Sequence, residues 1–390
     1  MCASLTHADA ASDGSAALTR FTEISERESL AMIERTQRYV ENNEQGTVPV
    51  VRDELEKHCG HVTRLCFDYL TDNKALLLAT LPSDPEYWQR LDDFLATGSL
   101  GVEAVERSDE LRPLFDAAIW FHVRRILTAA DPGFGQLGRI VMQSRQKLAL
   151  SETLIENMMF SAVLGIHGGW INLALAKRTD SLGRLESPQA AHAFLQPLSV
   201  QEYSLRMALE GEARYIESMI SKGPRTYEEW LANLEKLREY NPQAVEEMRA
   251  NPPTDAEFAR EYEDEQHLFE YFKPVLAQYV ELSELPIGSI EAPSIYADID
   301  LLLAREPDFA DMALPYRSYI DYSTQPRLSQ LVLAELNDMY SGRTTVGVPS
   351  RPPPISYQWL WRADSQDLCL RKIEILAESP EPHCFPYLAD

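Results

Sequence analysis

The chain has 390 residues, 45% of them apolar and 25% charged, a composition that supports a sizeable core and excludes global disorder. Against 36 Lys+Arg stand 61 Asp+Glu, a formal net charge of −25 that repels phosphate backbones and anionic lipid, and no basic cluster relieves it locally. Nucleic acid is therefore not an expected partner.

The opening residues, MCASLTHADAASDGSAA, lack the basic stretch and apolar run of a signal peptide and read as a flexible tail over residues 1–20. Membrane attachment would then need an N-terminal anchor, for which a lipidated Cys2 is a candidate. From residue 21 the signals are helical. Ser or Thr followed three positions later by Glu, the reciprocal capping box, recurs at Ser25/Glu28, Thr153/Glu156, Ser199/Glu202, Thr226/Glu229 and Thr254/Glu257. With the apolar spacing that follows each, the pattern predicts helices near 26–44, 50–71, 84–97, 100–128, 135–149, 154–178, 188–196, 200–221, 227–238, 255–283 (kinked at Pro274) and 326–341. No repeat of fixed period emerges, so the expected architecture is an all-α, large irregular multi-helix bundle spanning residues 21–345.

Within it, Asn157–Ala176 carries no formal charge and approaches the ~20 residues that span a bilayer. His167, Asn172 and three glycines, Gly165, Gly168 and Gly169, fit a protein-buried helix better than a lipid-facing one. The glycines would let neighbouring helices approach closely. Residues 346–390 differ in kind: Arg351-Pro352-Pro353-Pro354 is a stiff extended spacer, and after it Tyr357, Trp359 and Trp361 alternate as in a strand. Turn-like Ala363-Asp364-Ser365 and then Leu368 to Leu370 complete a small predicted hairpin.

Five cysteines, Cys2, Cys59, Cys66, Cys369 and Cys384, are odd in number and lack CxxC spacing. That argues against a disulfide framework or a thiolate zinc cage and allows one or two bridges at most. Other candidates for chemistry are sparse. On a helix, Leu205, Leu209, Glu212, Ile216 and Met219 share one stripe, which puts the Glu212 carboxylate on an apolar face. Such a group needs a cation, a metal or a hydrogen-bond donor; an arginine is the expected structural partner, and a catalytic or metal-binding role the alternative. Gly211 beside it leaves room for a close crossing. Glu54, His58 and His61, or Glu263, His267 and Glu270, have metal-ligand spacing, but the paired Glu-x-x-His motifs of dinuclear helical sites are absent. His167, inside the apolar helix, reads as a core histidine or, in the enzyme alternative, a site residue.

Asp92-Asp93-Phe94-Leu95 resembles the start of the aspartate-rich motif of class I terpene synthases, and Asn337-Asp338-Met339-Tyr340-Ser341 the start of their second magnesium motif. Each lacks a carboxylate: Ala96 and Thr97 follow the first, and Thr345 stands where the second ends in Glu. No Gly-x-Ser-x-Gly elbow, phosphate loop or dinucleotide fingerprint occurs.

The segments Ser151–Met159 and Leu195–Glu212 resemble a group of uncharacterised bacterial helical proteins anchored in the inner membrane with the body in the periplasm. The resemblance spans about the middle third of the chain and implies an all-α body and an envelope location, with no activity attached. Taken together, the expectation is a non-enzymatic helical binding or scaffold protein of the bacterial envelope, without a cofactor, that captures a protein partner through Trp359 and Trp361. The alternative is an all-α metal-dependent enzyme of the hydrolase or diphosphate-lyase type, in the envelope or the cytoplasm. In that case Glu212, His167, Asp92 and Asp93 are the catalytic candidates, and Glu212, His267, Asn337 and Ser341 would hold a divalent cation.

Overall fold

A computed structural model describes residues 2–43, 51–59, 62, 64–101, 104, 107–128, 135–176, 194–224, 226–238, 242–250, 252, 254–287, 307–354, 357–373 and 382–388. Helix α1 (Cys2–Asn42) already includes the segment expected to be a flexible tail. Alanine has the highest helix propensity of any residue, and Ala17, Leu18, Phe21 and Ile24 fall on one buried stripe, so the tail reading is corrected for its packed end. Ser25 and Glu28 consequently lie mid-helix. Glu28 accepts from Arg35 Nη2 (2.8 Å), which also donates to the Thr80 carbonyl (3.2 Å) and so covers the open end of α4 (Lys74–Thr80).

The helix expected over 50–71 is two, α2 (Val51–Cys59) and α3 (Arg64–Asp72), joined by a disulfide between Cys59 and Cys66. Next comes α5 (Pro85–Leu95), whose N-cap Asp84 accepts from Glu86 N–H (2.8 Å) with Pro85 in the first turn. Pro113 cannot continue a preceding helix, so the stretch expected over 100–128 contains a short α6 (Ser108–Leu111) and then α7 (Pro113–Leu127). Two long helices follow, α8 (Gly135–Leu150) and α9 (Leu154–Ala176). Apolar on every side, α9 packs on α7, α8 and the C-terminal part of the chain, as a central helix should. Among the described residues no helix is long and apolar enough to cross a membrane.

The predicted 200–221 helix breaks at Ser204 into α10 (Val200–Tyr203) and α11 (Arg206–Lys222). The break is stabilised from afar: Ser283 Oγ accepts Leu205 N–H (2.9 Å), and Ser204 Oγ donates to Glu284 (2.9 Å). Helices α12 (Tyr227–Leu237), the unforeseen α13 (Pro242–Ala250) and α14 (Asp255–Glu284, with Pro274 inside it) follow. Full capping boxes form at Ser199/Glu202 and Thr254/Glu257. Helix α15 (Pro307–Tyr340) is longer than expected, because Pro326 sits within it and does not begin it. Of the predicted 188–196 helix residues 194–196 are described, the first two helical and the third a bend; 188–193 lie outside the described residues.

Strands β1 (Tyr357–Arg362) and β2 (Asp367–Lys372) form the expected hairpin, and β3 (His383–Pro386) adds a third antiparallel strand in the order β1-β2-β3. Cys369 and Cys384, opposite each other in the β2–β3 register, form the second disulfide. The sheet lies on α15, and its inner side chains Trp359, Leu368, Leu370 and Phe385 form one core with Leu333 and Leu336. Trp359 is therefore core, not the partner surface expected of it. Its indole N–H donates to the Arg351 carbonyl (3.0 Å). Trp361 is half-buried, edge-on to Tyr387. The end of the chain also seals α9: Asn172 Nδ2 donates to the Pro386 carbonyl (2.8 Å), and its Oδ1 accepts from Tyr340 Oη (2.9 Å).

Candidate functional site

The sequence candidates do not converge. Asp92 pairs with Arg139 (3.2 Å) and Asp93 accepts from Gln89 (2.7 Å), both half-buried on α5, and the other Asp92 oxygen, Oδ1, is buried with no hydrogen-bond partner among the described residues. Ser341, just past α15, donates to the Asp338 carbonyl (3.1 Å), and the buried Asn337 Oδ1 meets no donor among the described residues. Helix α5 packs on α1 and α8, whereas α15 packs on α9, α14 and the sheet, so the two incomplete magnesium motifs are not assembled by the packing seen here. His267, Glu263 and Glu270 are exposed on α14, where Glu270 pairs with Lys273 (2.7 Å). His58 stacks on Tyr69 at 4.4 Å, and His61 lies outside the described residues. Among the described residues no group of three or more His, Cys, Asp and Glu is placed to hold a metal ion.

Glu212 has a partner of a different kind from the expected arginine. Its Oε1 accepts the backbone N–H of Leu154 (3.1 Å), the first residue of α9, so a carboxylate from α11 caps the central helix where the helix dipole favours negative charge. Burial raises its pKa, and the Leu154 hydrogen bond opposes that rise. Gly211 gives the close approach: a Cβ there would occupy the position of the Glu152 carbonyl. Beyond Glu212 the stripe weakens, and Met219 is exposed.

Glu156, read as half of a capping box, does donate its N–H to Thr153 Oγ1 (3.2 Å), but its carboxylate reaches Ser99 Oγ (2.6 Å) and Leu100 N–H (3.1 Å). Lys147, fully buried on α8, holds the same loop through Thr97 Oγ1 (2.9 Å) and the Gly98 carbonyl (2.6 Å) above the Phe94 ring. Burial lowers its pKa to about 8 and raises that of Glu156. This pair anchors residues 97–101. Ser329 and His383 also meet, at 2.9 Å, and the same hydroxyl lies 2.9 Å from the Gln325 carbonyl, the back-bond usual for a serine inside a helix.

What the sequence did not reveal is a cavity of about 460 Å³ between α2, α7, α9 and β3. Phe115, Ile119 and Trp120 of α7 and Ile166 and Trp170 of α9 line it; Leu55 and Cys59 come from α2, and Cys384 to Pro386 from β3. Its charged lining residues, Arg52 and Asp116, pair with each other at 3.3 Å. Gly165 and Gly169 lie four residues apart on one face of α9, and both line this space. Their roles differ: Gly169 backs closely onto Val62, as Gly168 does onto Phe194, which fits the expected close approach, whereas among the described residues a Cβ at Gly165 would meet nothing within 4 Å.

Directly behind the Trp170 wall, His122 stacks parallel to the indole (5.8 Å), and its Nε2 meets His167 Nδ1 at 2.8 Å. Both rings are fully buried. Burial holds His122 well below the ordinary imidazole range and His167 at about 3, with repulsion from Arg125 adding to both. Above pH 6.5 both the folded and unfolded chains keep these rings neutral. As the pH falls through 6.5 the unfolded chain binds protons that folded His167 refuses until about pH 3, so stability present at neutral pH is lost. By pH 4.5 His167 alone accounts for a loss of roughly 2–3 kcal/mol. Urea unfolding at pH 7.5 and 4.5 should show this loss in the native chain and a smaller one in His167→Gln; identical pH slopes would contradict a buried neutral pair.

Comparison with protein-family models, curated proteins and solved structures finds no match for this chain.

Proposed function

We propose that the chain is a non-enzymatic helical binding protein of the bacterial envelope and that the cavity between α2, α7, α9 and β3 is its ligand site. The cavity carries this reading: its volume lies within the 300–1,000 Å³ range of small-molecule sites, and its lining among the described residues is mostly apolar with one charged pair. The envelope location draws support from the Cys59–Cys66 and Cys369–Cys384 bridges, since disulfides persist chiefly in oxidising compartments. The resemblance of the middle third to periplasmic helical proteins agrees with it. With Trp359 in the core, binding moves from the C-terminal aromatic segment to the cavity. The metal-enzyme alternative gains no support from the donor geometry described above.

In cells making the full chain, fractionation should recover it from the envelope, with Cys59, Cys66, Cys369 and Cys384 resistant to alkylation until reductant is added. Native mass spectrometry of that material should show a bound small molecule that leaves on denaturation. Free thiols in a cytoplasmic fraction would overturn the location; a chain of bare sequence mass would count against the binding role.

A further inference from the structure

Granting that the cavity is a ligand site, the geometry points to an uncharged, ring-bearing small molecule as its occupant. Three observations converge on that class. First, Trp120, Trp170, Phe115 and Phe385 supply aromatic surface to one space, and aromatic side chains favour offset-stacked or edge-on contact with another ring. Second, among the described residues the charges in the lining cancel, because Arg52 and Asp116 pair at 3.3 Å. A charged ligand would lose hydration there without gaining an unpaired counter-charge, and a net charge of −25 further disfavours anions.

Third, Gly165 carries a stability cost that packing does not explain. Glycine inside a helix is destabilising relative to alanine, and it is retained where another backbone or side chain must come close. Gly168 and Gly169 have such neighbours; Gly165 has none within 4 Å of a Cβ and faces the cavity. What glycine provides at this position is space for something else. The two disulfides make that space a preformed one, since Cys59 ties the α2 wall to α3 and Cys384 ties the β3 wall to β2. A site fixed before its ligand arrives suits a rigid ring better than a flexible chain that must be ordered on binding.

The test uses two probes that share one skeleton and differ by one charge: neutral N-phenyl-1-naphthylamine and its anionic relative 1-anilinonaphthalene-8-sulfonate. Titrated into the full chain, the neutral probe should bind at one site with blue-shifted emission, and the sulfonate at least tenfold more weakly. Gly165→Leu should weaken the neutral probe tenfold or more while the unfolding midpoint stays level or rises. Asp116→Asn, which removes the Arg52 carboxylate partner, should narrow the gap by strengthening the sulfonate. A sulfonate that binds as tightly as the neutral probe overturns the ligand class and leaves the cavity as a site. Neither probe binding, or neutral-probe binding indifferent to Gly165→Leu, overturns the cavity itself, as when a segment of the chain's own fills it.

Discussion

Alanine at position 211 should cost the protein roughly 3 kcal/mol or more, and alanine at 165 should cost nothing. Both are single methyl additions to helical glycines. At Gly211 the new carbon collides with the Glu152 carbonyl, a backbone group that cannot rotate away, so α11 must move off the start of α9. Moving it lifts Glu212 from the Leu154 N–H and Arg214 from Glu152, now 3.7 Å apart, which adds the loss of a helix cap, typically about 1 kcal/mol. At Gly165 the methyl enters open space and gains helix propensity, worth up to about 1 kcal/mol. Urea unfolding of the two variants should therefore give shifts of opposite sign. A Gly211→Ala midpoint equal to that of the native chain would mean that α11 does not rest on the 152 backbone.

Reduction of the two disulfides should remove a comparable or larger share of stability. On the chain-entropy account a cross-link stabilises by restricting the unfolded chain, by about 3 kcal/mol for a loop of about 15 residues and somewhat less for a shorter one. Cys369–Cys384 spans 15 residues and Cys59–Cys66 spans 7, so the pair together should contribute about 5 kcal/mol. Thermal unfolding with and without reductant, repeated on Cys59→Ser/Cys66→Ser and Cys369→Ser/Cys384→Ser, separates the two. Because Cys59 and Cys384 both line the cavity, each double variant should also bind the neutral probe more weakly than the oxidised protein. An unfolding midpoint insensitive to reductant would show the bridges to be absent from the folded chain.

Where a signal is local, the sequence was a good guide. Thr226 and Thr254 accept the N–H groups three residues on, and the helices begin where they were expected. The failures share a cause in distance. Nothing within 200–221 announces a break at Ser204; it depends on Ser283 and Glu284, about 80 residues away. The same holds for Glu212, legible as a carboxylate on an apolar face, whose partner is a helix end 58 positions upstream. The polar character of residues 1–20 was given more weight than their alanine content, and helix propensity prevailed. Alternation identified β1 but not the face that α15 would cover, so Trp359 was read as exposed. Short and proline-ended, β3 offered no period to detect. The cavity draws its walls from residues 52 to 386, and its one local trace was the glycine pair at 165 and 169.

The hydrogen bond from Asn172 to Pro386 spans 214 positions. A buried amide near the C-terminal end of the central helix thus waits for β3 to be made. Since helices form from local contacts, α9 is able to coil early in synthesis, yet the buried Asn172 amide has no acceptor in Pro386 until 214 further positions have been added. Sealing of this helix is therefore a late step of folding, separated from its formation by most of the distance along the chain.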